Sequence, residues 1–490
     1  MSSRRDSRNT ATYRWWVLVV TSLGALLASL NMSTLVIALP ALLRSLHTGV
    51  LEVVWVLLAY LLAQTALVLS AGRLGDVYGR KRLYAGGFAL FTVMALASGF
   101  AGAPLPLIAL RVFAGCGGAL MLANSGAIVT DAFPRRELGL ALGINAMVIA
   151  VGSAIGPVLG GWLTSFGWQW VFWFNVPLGI LGTTASIAVL RDGSGARHQQ
   201  RVDWLGNMAF LVALTGLLVA LSMGGIEGWG HPAVIAGAAL FAVATPLFFW
   251  LQTVVAEPLL DLALFRNRLF AIANLTQFLN SLARMGLLFL LVFFFQGPEG
   301  KDPVMAGVLV LPLPVGMFIF SPISGFISDH IGSRMPSTAG LVFTAVGLIG
   351  MAATLSVGVS YPLLALWLGV TGAGAGLFNS PNASSIMASV APAQRGVASG
   401  VRMLLALTGG MISIAFVLAI VTSSLPKAAM LAIFSGVASG LPTAQVTPFI
   451  IGVRVALLVL GLISLLSAPL SLLRGAEKSR RYEALPFAAT

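Results

Sequence analysis

Gly72-Arg73-Leu74-Gly75-Asp76-Val77-Tyr78-Gly79-Arg80-Lys81-Arg82 is a short basic run held between two long apolar segments. Its three glycines lack a Cβ, so two helix ends can approach closely and the turn between them can use left-handed backbone angles. Asp76 is the one acid among four bases. The charge alone identifies only a cytoplasmic loop, because membrane proteins gather Lys and Arg there. The spacing G-x-L-x-D-x-x-G-R-K-R asks for more, namely a tight turn with a fixed anion between two membrane helices.

A partial second copy follows. Gly325-Phe326-Ile327-Ser328-Asp329-His330-Ile331-Gly332-Ser333-Arg334 also lies between apolar segments, and Gly72, Asp76, Gly79 and Gly87 recur 253 positions later as Gly325, Asp329, Gly332 and Gly340. Four matches at one offset indicate an internal duplication, a common construction among secondary transporters. The copy is degenerate, with Ser333 where the first has Arg80. The first run resembles the signature loop between the second and third helices of the major facilitator superfamily. That resemblance implies a conformational latch built from Gly72, Asp76, Gly79, Arg80 and Arg82, with Gly325, Asp329, Gly332 and Arg334 as its counterpart. It also implies that Asp76 meets a helix start near Gly396 across the cytoplasmic face, together with Arg80 or Arg82.

Composition points the same way. Of 490 residues, 58% are hydrophobic and only 9% charged, where soluble domains carry roughly a quarter charged residues. The net charge of +13 is scattered through short loops rather than gathered on a folded face with stacking aromatics, so nucleic acid is not an expected partner. Cys116 is the single cysteine, which excludes an internal disulfide. The apolar run after Arg14 is too long for a signal-peptide core and is expected to be retained as a helix.

Apolar segments of about 20 residues, the length a hydrocarbon slab of about 30 Å requires, fall near 15–39, 53–71, 83–103, 106–129, 140–165, 170–190, 204–223, 233–255, 269–296, 304–328, 337–358, 361–389, 396–422 and 449–473. The expectation is an all-α polytopic membrane protein of fourteen transmembrane helices. Twenty-one Lys and Arg residues fall on one side of these segments and three, Arg44, Lys301 and Lys427, on the other. The positive-inside rule then places both termini in the cytoplasm of the cell inner (plasma) membrane. The two signature loops follow the second and tenth segments, eight helices apart rather than six, so 204–223 and 233–255 are read as inserted between two six-helix halves. The expected organisation is a cytoplasmic tail 1–14, a six-helix bundle 15–190, linkers with the inserted pair 191–268, a six-helix bundle 269–473 and a cytoplasmic tail 474–490. Residues 256–266 alternate charge and leucine, which suggests a short amphipathic helix on the inner membrane face. This 6+2+6 order resembles the drug:proton antiporter branch of the superfamily.

The fifth segment carries Gly152-Ser153-Ala154-Ile155-Gly156-Pro157-Val158-Leu159-Gly160-Gly161. Glycines four apart share one helical face and admit a neighbouring backbone, while Pro157 removes a donor. The extended form G-x-x-x-G-P-x-x-G-G looks like the antiporter motif of the superfamily's exporters. In the first segment, Leu30-Asn31-Met32-Ser33-Thr34 through Ala38-Leu39-Pro40 resembles the branch's first-helix motif, with Asn31 where that branch usually has an aspartate. An amide cannot titrate. All fifteen acids and all four histidines fall in tails, loops or helix ends, so no mid-membrane group is left to relay a proton. Asp131 and Glu52, at helix ends, are the nearest substitutes for a proton site.

Four arginines lie inside predicted helices: Arg111, Arg284, Arg402 and Arg454. Arg402 and Arg454 sit near helix ends, where snorkelling to an interface accounts for them. Arg111 belongs to a stretch similar to the family's fourth-helix R-x-x-Q-G-x-G, with Ala114 in the glutamine position, and the resemblance implies a cavity role linked to proton movement. Arg284, fifteen residues into the ninth segment, needs carbonyls, water or an anionic ligand. Cavity-facing candidates are Asn31, Gln64, Arg111, Asn145, Gln277, Asn280, Arg284, Gln296 and Asn379. The function that follows is a secondary active exporter of amphipathic small molecules, acting as a monomer by alternating access, without cofactor or metal. Two other readings stay open: an exporter or flippase of lipids or other anionic amphiphiles, and a non-transporting membrane sensor or scaffold. An intramembrane enzyme is disfavoured, because no catalytic cluster is available at depth.

Overall fold

The computed structural model describes residues 2–134, 137–191, 202–391, 394–437 and 442–474. Arg135, Arg136, Arg197, Arg201 and the tail from residue 475 therefore lie outside the described residues. The described residues form seventeen α-helices and one short 3-10 helix. The first half holds α1 (Ser2–Ser45), α2 (Val50–Tyr78), α3 (Arg80–Ser98), α4 (Pro104–Ala132), α5 (Leu138–Ser165), α6 (Trp170–Trp173) and α7 (Asn175–Val189). The inserted pair is α8 (Trp204–Glu227) and α9 (Pro232–Val254). The second half holds α10 (Arg268–Gln296), α11 (Pro303–Leu309), α12 (Pro312–Ile331), α13 (Arg334–Thr354), α14 (Tyr361–Ala388), α15 (Arg395–Thr422), α16 (Lys427–Phe434) and α17 (Thr443–Leu472).

All fourteen apolar segments are helical. Thirteen of the resulting spans, with α6–α7 and α11–α12 each taken as one, are long and apolar enough to cross a membrane. The fourteenth, α3, falls short because Arg80, Lys81 and Arg82 occupy the first turn of its 19 residues. The tenth segment breaks at Pro312, whose ring cannot donate to the preceding turn, leaving the seven-residue α11 to pack separately. The first helix starts at Ser2, well before the apolar run at residue 15, and its candidate membrane span begins at Thr12.

The duplication is visible in the packing. In the first half α1 pairs with α5, α2 and α3 with α4, and α3 with α7; in the second, α10 pairs with α15, α12 and α13 with α14, and α13 with α17. The recurrence of Gly87 as Gly340 has a structural cause. A Cβ on Gly87 would press on the carbonyl of Gly117 in α4 at 2.8 Å, and one on Gly340 would press on that of Gly374 in α14 at 2.6 Å. Both are crossings close enough for backbone contact, which only small residues permit.

The inserted pair crosses in the same way, at Gly216 and Gly237. α9 packs chiefly on α8, whereas α8 lies against both α2 and α15, one helix from each half. Trp55 Nε1 donates to Ser222 Oγ at 3.2 Å, and Gly225 abuts Ala419 and Thr422. Residues 256–266 do not form the expected amphipathic α-helix. Only Leu262–Arg266 is helical, as a 3-10 turn, and Leu259, Leu260 and Leu264 are buried. Pro258 opposes helix there, and side chains of the inserted pair take the freed donors: Asp203 accepts from Leu259 N at 3.2 Å and Gln252 from Leu260 N at 2.8 Å.

Candidate functional site

Three arrangements carry chemistry: the seam where the two halves meet, a buried arginine in the first half, and a polar face in the second.

The seam is organised by the glycines of α5. Gly152, Gly156 and Gly160 lie on α1 at Ser29, Ser33 and Thr34, with a Cβ on Gly160 meeting the Thr34 backbone at 2.7 Å. Gly161, one residue round the helix, faces the other half and abuts the Pro303 carbonyl at the start of α11. Gly307 of α11 returns the contact onto the carbonyl of Pro157. The motif therefore has two jobs, binding α5 to its own bundle and docking it against the second. Nearby, Gln296 Nε2 donates to the Ile37 carbonyl at 2.9 Å, and Arg44 donates to the Ser435 carbonyl just past α16. These inter-half contacts gather at the face opposite the basic loops.

Arg111 is fully buried in α4. Its Nη1 donates to Asn31 Oδ1 at 3.1 Å and its Nε to the Val56 carbonyl at 3.4 Å, while the guanidinium lies 4.4 Å from the centre of the Tyr60 ring. The residue that departs from the family pattern is thus the one that faces this arginine. Gln64, also buried, reaches Tyr60 Oη at 3.4 Å, one turn along α2. Asn145 is half-buried on α5.

In α10, Gln277, Asn280, Ser281 and Arg284 fall at i, i+3, i+4 and i+7 and so share a face. Gln277 donates to Ser281 Oγ at 3.3 Å and accepts from Asn382 Nδ2 of α14 at 3.2 Å. Asn280 is fully buried, and neither its Oδ1 nor its Nδ2 has a hydrogen-bond partner among the described residues. Asn379 is half-buried on α14. Arg454 is exposed, and its Nε and Nη2 donate to the carbonyls of Ala352 and Ala353 at 2.7 and 2.9 Å, capping the C-terminus of α13. Free carbonyls and the negative end of the helix dipole explain that preference. Arg402 departs from the snorkelling expectation, with its Nε buried.

At the signature loop, Gly79 takes φ 101° and Gly332, its counterpart, φ 83°, conformations that favour glycine. Arg80 is held on both sides, by Asp76 Oδ1 at 2.8 Å and by Asp131 Oδ2 of α4 at 2.6 Å. Arg82 is exposed, as are Asp329 and Arg334 of the second copy. Asp76 therefore closes a corner within its own half, and α15 meets α2 instead through Gly400 against Leu69. Of the two proposed proton sites, Asp131 is engaged by Arg80, and Glu52 sits half-buried in the first turn of α2.

Several residues went unnoticed in the sequence. Asn382 completes the Gln277 pair. Asn124 donates to the Ala71 carbonyl at 3.2 Å, linking α4 to α2 beneath Gly75. Both are amides inside apolar runs, a signal that was available. Arg73, read only as loop charge, donates to the carbonyls of Glu257 and Pro258 and moors the linker after α9. Asp203, read only as a linker acid, is buried and accepts from Gly206 N at 2.7 Å, Gln252 Nε2 at 3.1 Å and Leu259 N. No sequence signal distinguishes it from an exposed acid.

Residues 21–414 match the Major Facilitator Superfamily. The chain belongs to the major facilitator superfamily. It is 32% identical over 389 residues to the riboflavin transporter RibZ of Clostridioides difficile, covering 78% of this chain and 83% of that one. It is 31% identical over 402 residues to the tetracenomycin C resistance and export protein of Streptomyces glaucescens, covering 81% and 74%. The multidrug resistance protein Stp of Mycobacterium tuberculosis is 33% identical over 386 residues, covering 78% and 71%. Among solved structures, a bacterial homologue of the human lysosomal transporter Spinster, in an inward-facing conformation, superposes with a TM-score of 0.65 at 16% identity over 94% of this chain and 97% of that one. That likeness speaks to the fold, which is the superfamily's.

Proposed function

We propose that this major facilitator protein is a secondary exporter of amphipathic small molecules that works by alternating access, with the basic loops and both termini in the cytoplasm of the plasma membrane. The observation that carries the reading is the double use of the glycine motif, which ties α5 to α1 through three glycines and to α11 through the fourth. A contact made largely of backbone against backbone at one face, joined there by the Gln296 and Arg44 hydrogen bonds, can open and re-form as two rigid halves rock. A scaffold would have no need of so fine a seam. The functions that the relatives are named for, drug resistance and export and riboflavin transport, support small amphipathic cargo. The test is flux of fluorescent aromatic amphiphiles in proteoliposomes. Saturable movement that Gly161→Leu abolishes supports the exporter; absence of any protein-dependent flux for neutral, cationic and acidic probes alike refutes it in favour of a scaffold.

A further inference from the structure

Among the described residues several arginines have clear partners, whereas Arg284 and Arg402 have none. Arg44, Arg73 and Arg454 donate to carbonyls, Arg80 to two carboxylates, Arg111 to an amide and a carbonyl, and Arg474 to Thr276. Arg284 lies mid-way along α10, more than twenty residues from the nearest acid in the chain before it and fifteen from the next, Glu299. No ion pair or hydrogen bond joins it to another described residue, and its Nε is buried without a partner. A guanidinium inside a membrane protein that meets neither an acid nor a carbonyl is left to water or to an anionic ligand. One turn below it, Asn280 is wholly buried and leaves both its carbonyl oxygen and its amide unpartnered. Gln277 and Ser281, on the same face, are already tied to each other and to Asn382.

A path toward this site is marked by a second arginine. The contacts of Gly409 with Phe278 and Ser281, and of Gly410 with Met285, set α15 alongside α10 in parallel register. Arg402, seven residues before Gly409, then lies about 10 Å nearer the basic-loop face at the usual helical rise. It too has a buried Nε without a partner.

We propose that Arg284 and Asn280 form a subsite for the acidic group of an amphipathic substrate, a carboxylate, sulfonate or phosphate, and that Arg402 draws that group in from the basic-loop side. The guanidinium binds the anion by charge-assisted hydrogen bonds, and the Asn280 amide supplies another donor. The inference rests on the transport reading and narrows it, since a substrate with only a cationic or neutral head leaves Arg284 unbalanced.

The test compares 2-naphthoate with 2-naphthamide, which share a ring system and differ in charge, on the full chain in phosphatidylcholine nanodiscs. The acid should bind about tenfold or more tightly than the amide, the scale of a hydrogen bond to a charged group. Arg284→Gln should remove that preference, and Arg284→Lys should keep most of it. An unchanged thermal unfolding profile shows that Arg284→Gln still folds; if that variant is lost, the Lys variant and Asn280→Ala, which should weaken the preference, carry the test. Equal binding of acid and amide by the wild type, or a preference that survives Arg284→Gln, overturns the proposal. Phosphatidylglycerol added to the nanodiscs identifies the source of the anion: competition with naphthoate assigns the subsite to lipid head groups, and no competition to soluble acids. In proteoliposomes, flux of the neutral amide without any preference for the acid sinks the subsite alone, whereas absence of protein-dependent flux for neutral, cationic and acidic probes alike sinks the transport reading.

Discussion

Arg111 and Asn31 show how one residue changes the economy of a site. A fully buried guanidinium faces an amide 3.1 Å away, and the Tyr60 ring adds a cation–π contact, worth about 0.5–2 kcal/mol depending on desolvation. Nothing in that arrangement titrates near neutrality, so flux in proteoliposomes is expected to depend little on an imposed pH gradient. Asn31→Asp places a carboxylate against Arg111, where the guanidinium favours its ionised form and burial opposes it. Protonation then accompanies separation of the pair, and the variant is expected to gain dependence on the gradient. A wild-type flux that collapses without the gradient, yet persists when Asp131, Glu52 and Asp76 are all made neutral, would mean the proton travels by another route. At the signature loop Arg80 is shared between Asp76 and Asp131. Removing Asp76 leaves Asp131 as its single ion-pair partner and frees the turn, so Asp76→Asn should shift spin-label distances across the basic-loop face; unchanged distances would deny the loop a latching role.

At the scale of elements, the decisive contacts are those a methyl group would spoil. Gly307→Val drives a side chain into the Pro157 carbonyl, and such overpacking typically costs about 1–3 kcal/mol. Because the contact joins the two halves, the substitution should open that face, read as longer distances between labels on α5 and α11, with a smaller loss of thermal stability. Gly156→Val, pressing on Ser33 within one bundle, should instead lower stability without separating the halves. The linker after α9 depends on Asp203. Asp203→Ala leaves Gly206 N, Leu259 N and Gln252 Nε2 without their acceptor, about 1–3 kcal/mol for each buried donor left unmade. Limited proteolysis should then cut within 255–266, and resistance equal to wild type would show that Arg73 alone moors the strap.

For the whole molecule, the two halves meet at the α5–α11 seam and again where α15 lies on α2, and the inserted pair flanks that second contact. α8 touches α2 and α15, and α9 mostly α8, so the pair reads as a flank cover with its outer helix toward lipid. In a Cys116→Ala background, cysteines along α8 and α9 should resist a membrane-impermeant thiol reagent except near residues 227–231. Labelling deep in α9 that a transported amphiphile blocks would place the pair in the substrate path instead.

Much of this was legible before folding. Apolar length against bilayer thickness predicts the helices, and the offset of 253 residues points to the duplication, because both are one-dimensional properties of the chain. Roles that depend on which way a side chain points were not. Arg454 as a helix cap, Asp203 as a buried acceptor and the split duty of Gly161 follow from which helices happen to lie alongside, and residues of identical type sit exposed elsewhere in the chain. Sequence places a charge at a depth in the membrane; only the packing of helices from distant parts of the chain decides whether that charge meets a carbonyl, a carboxylate or, as at Arg284, neither.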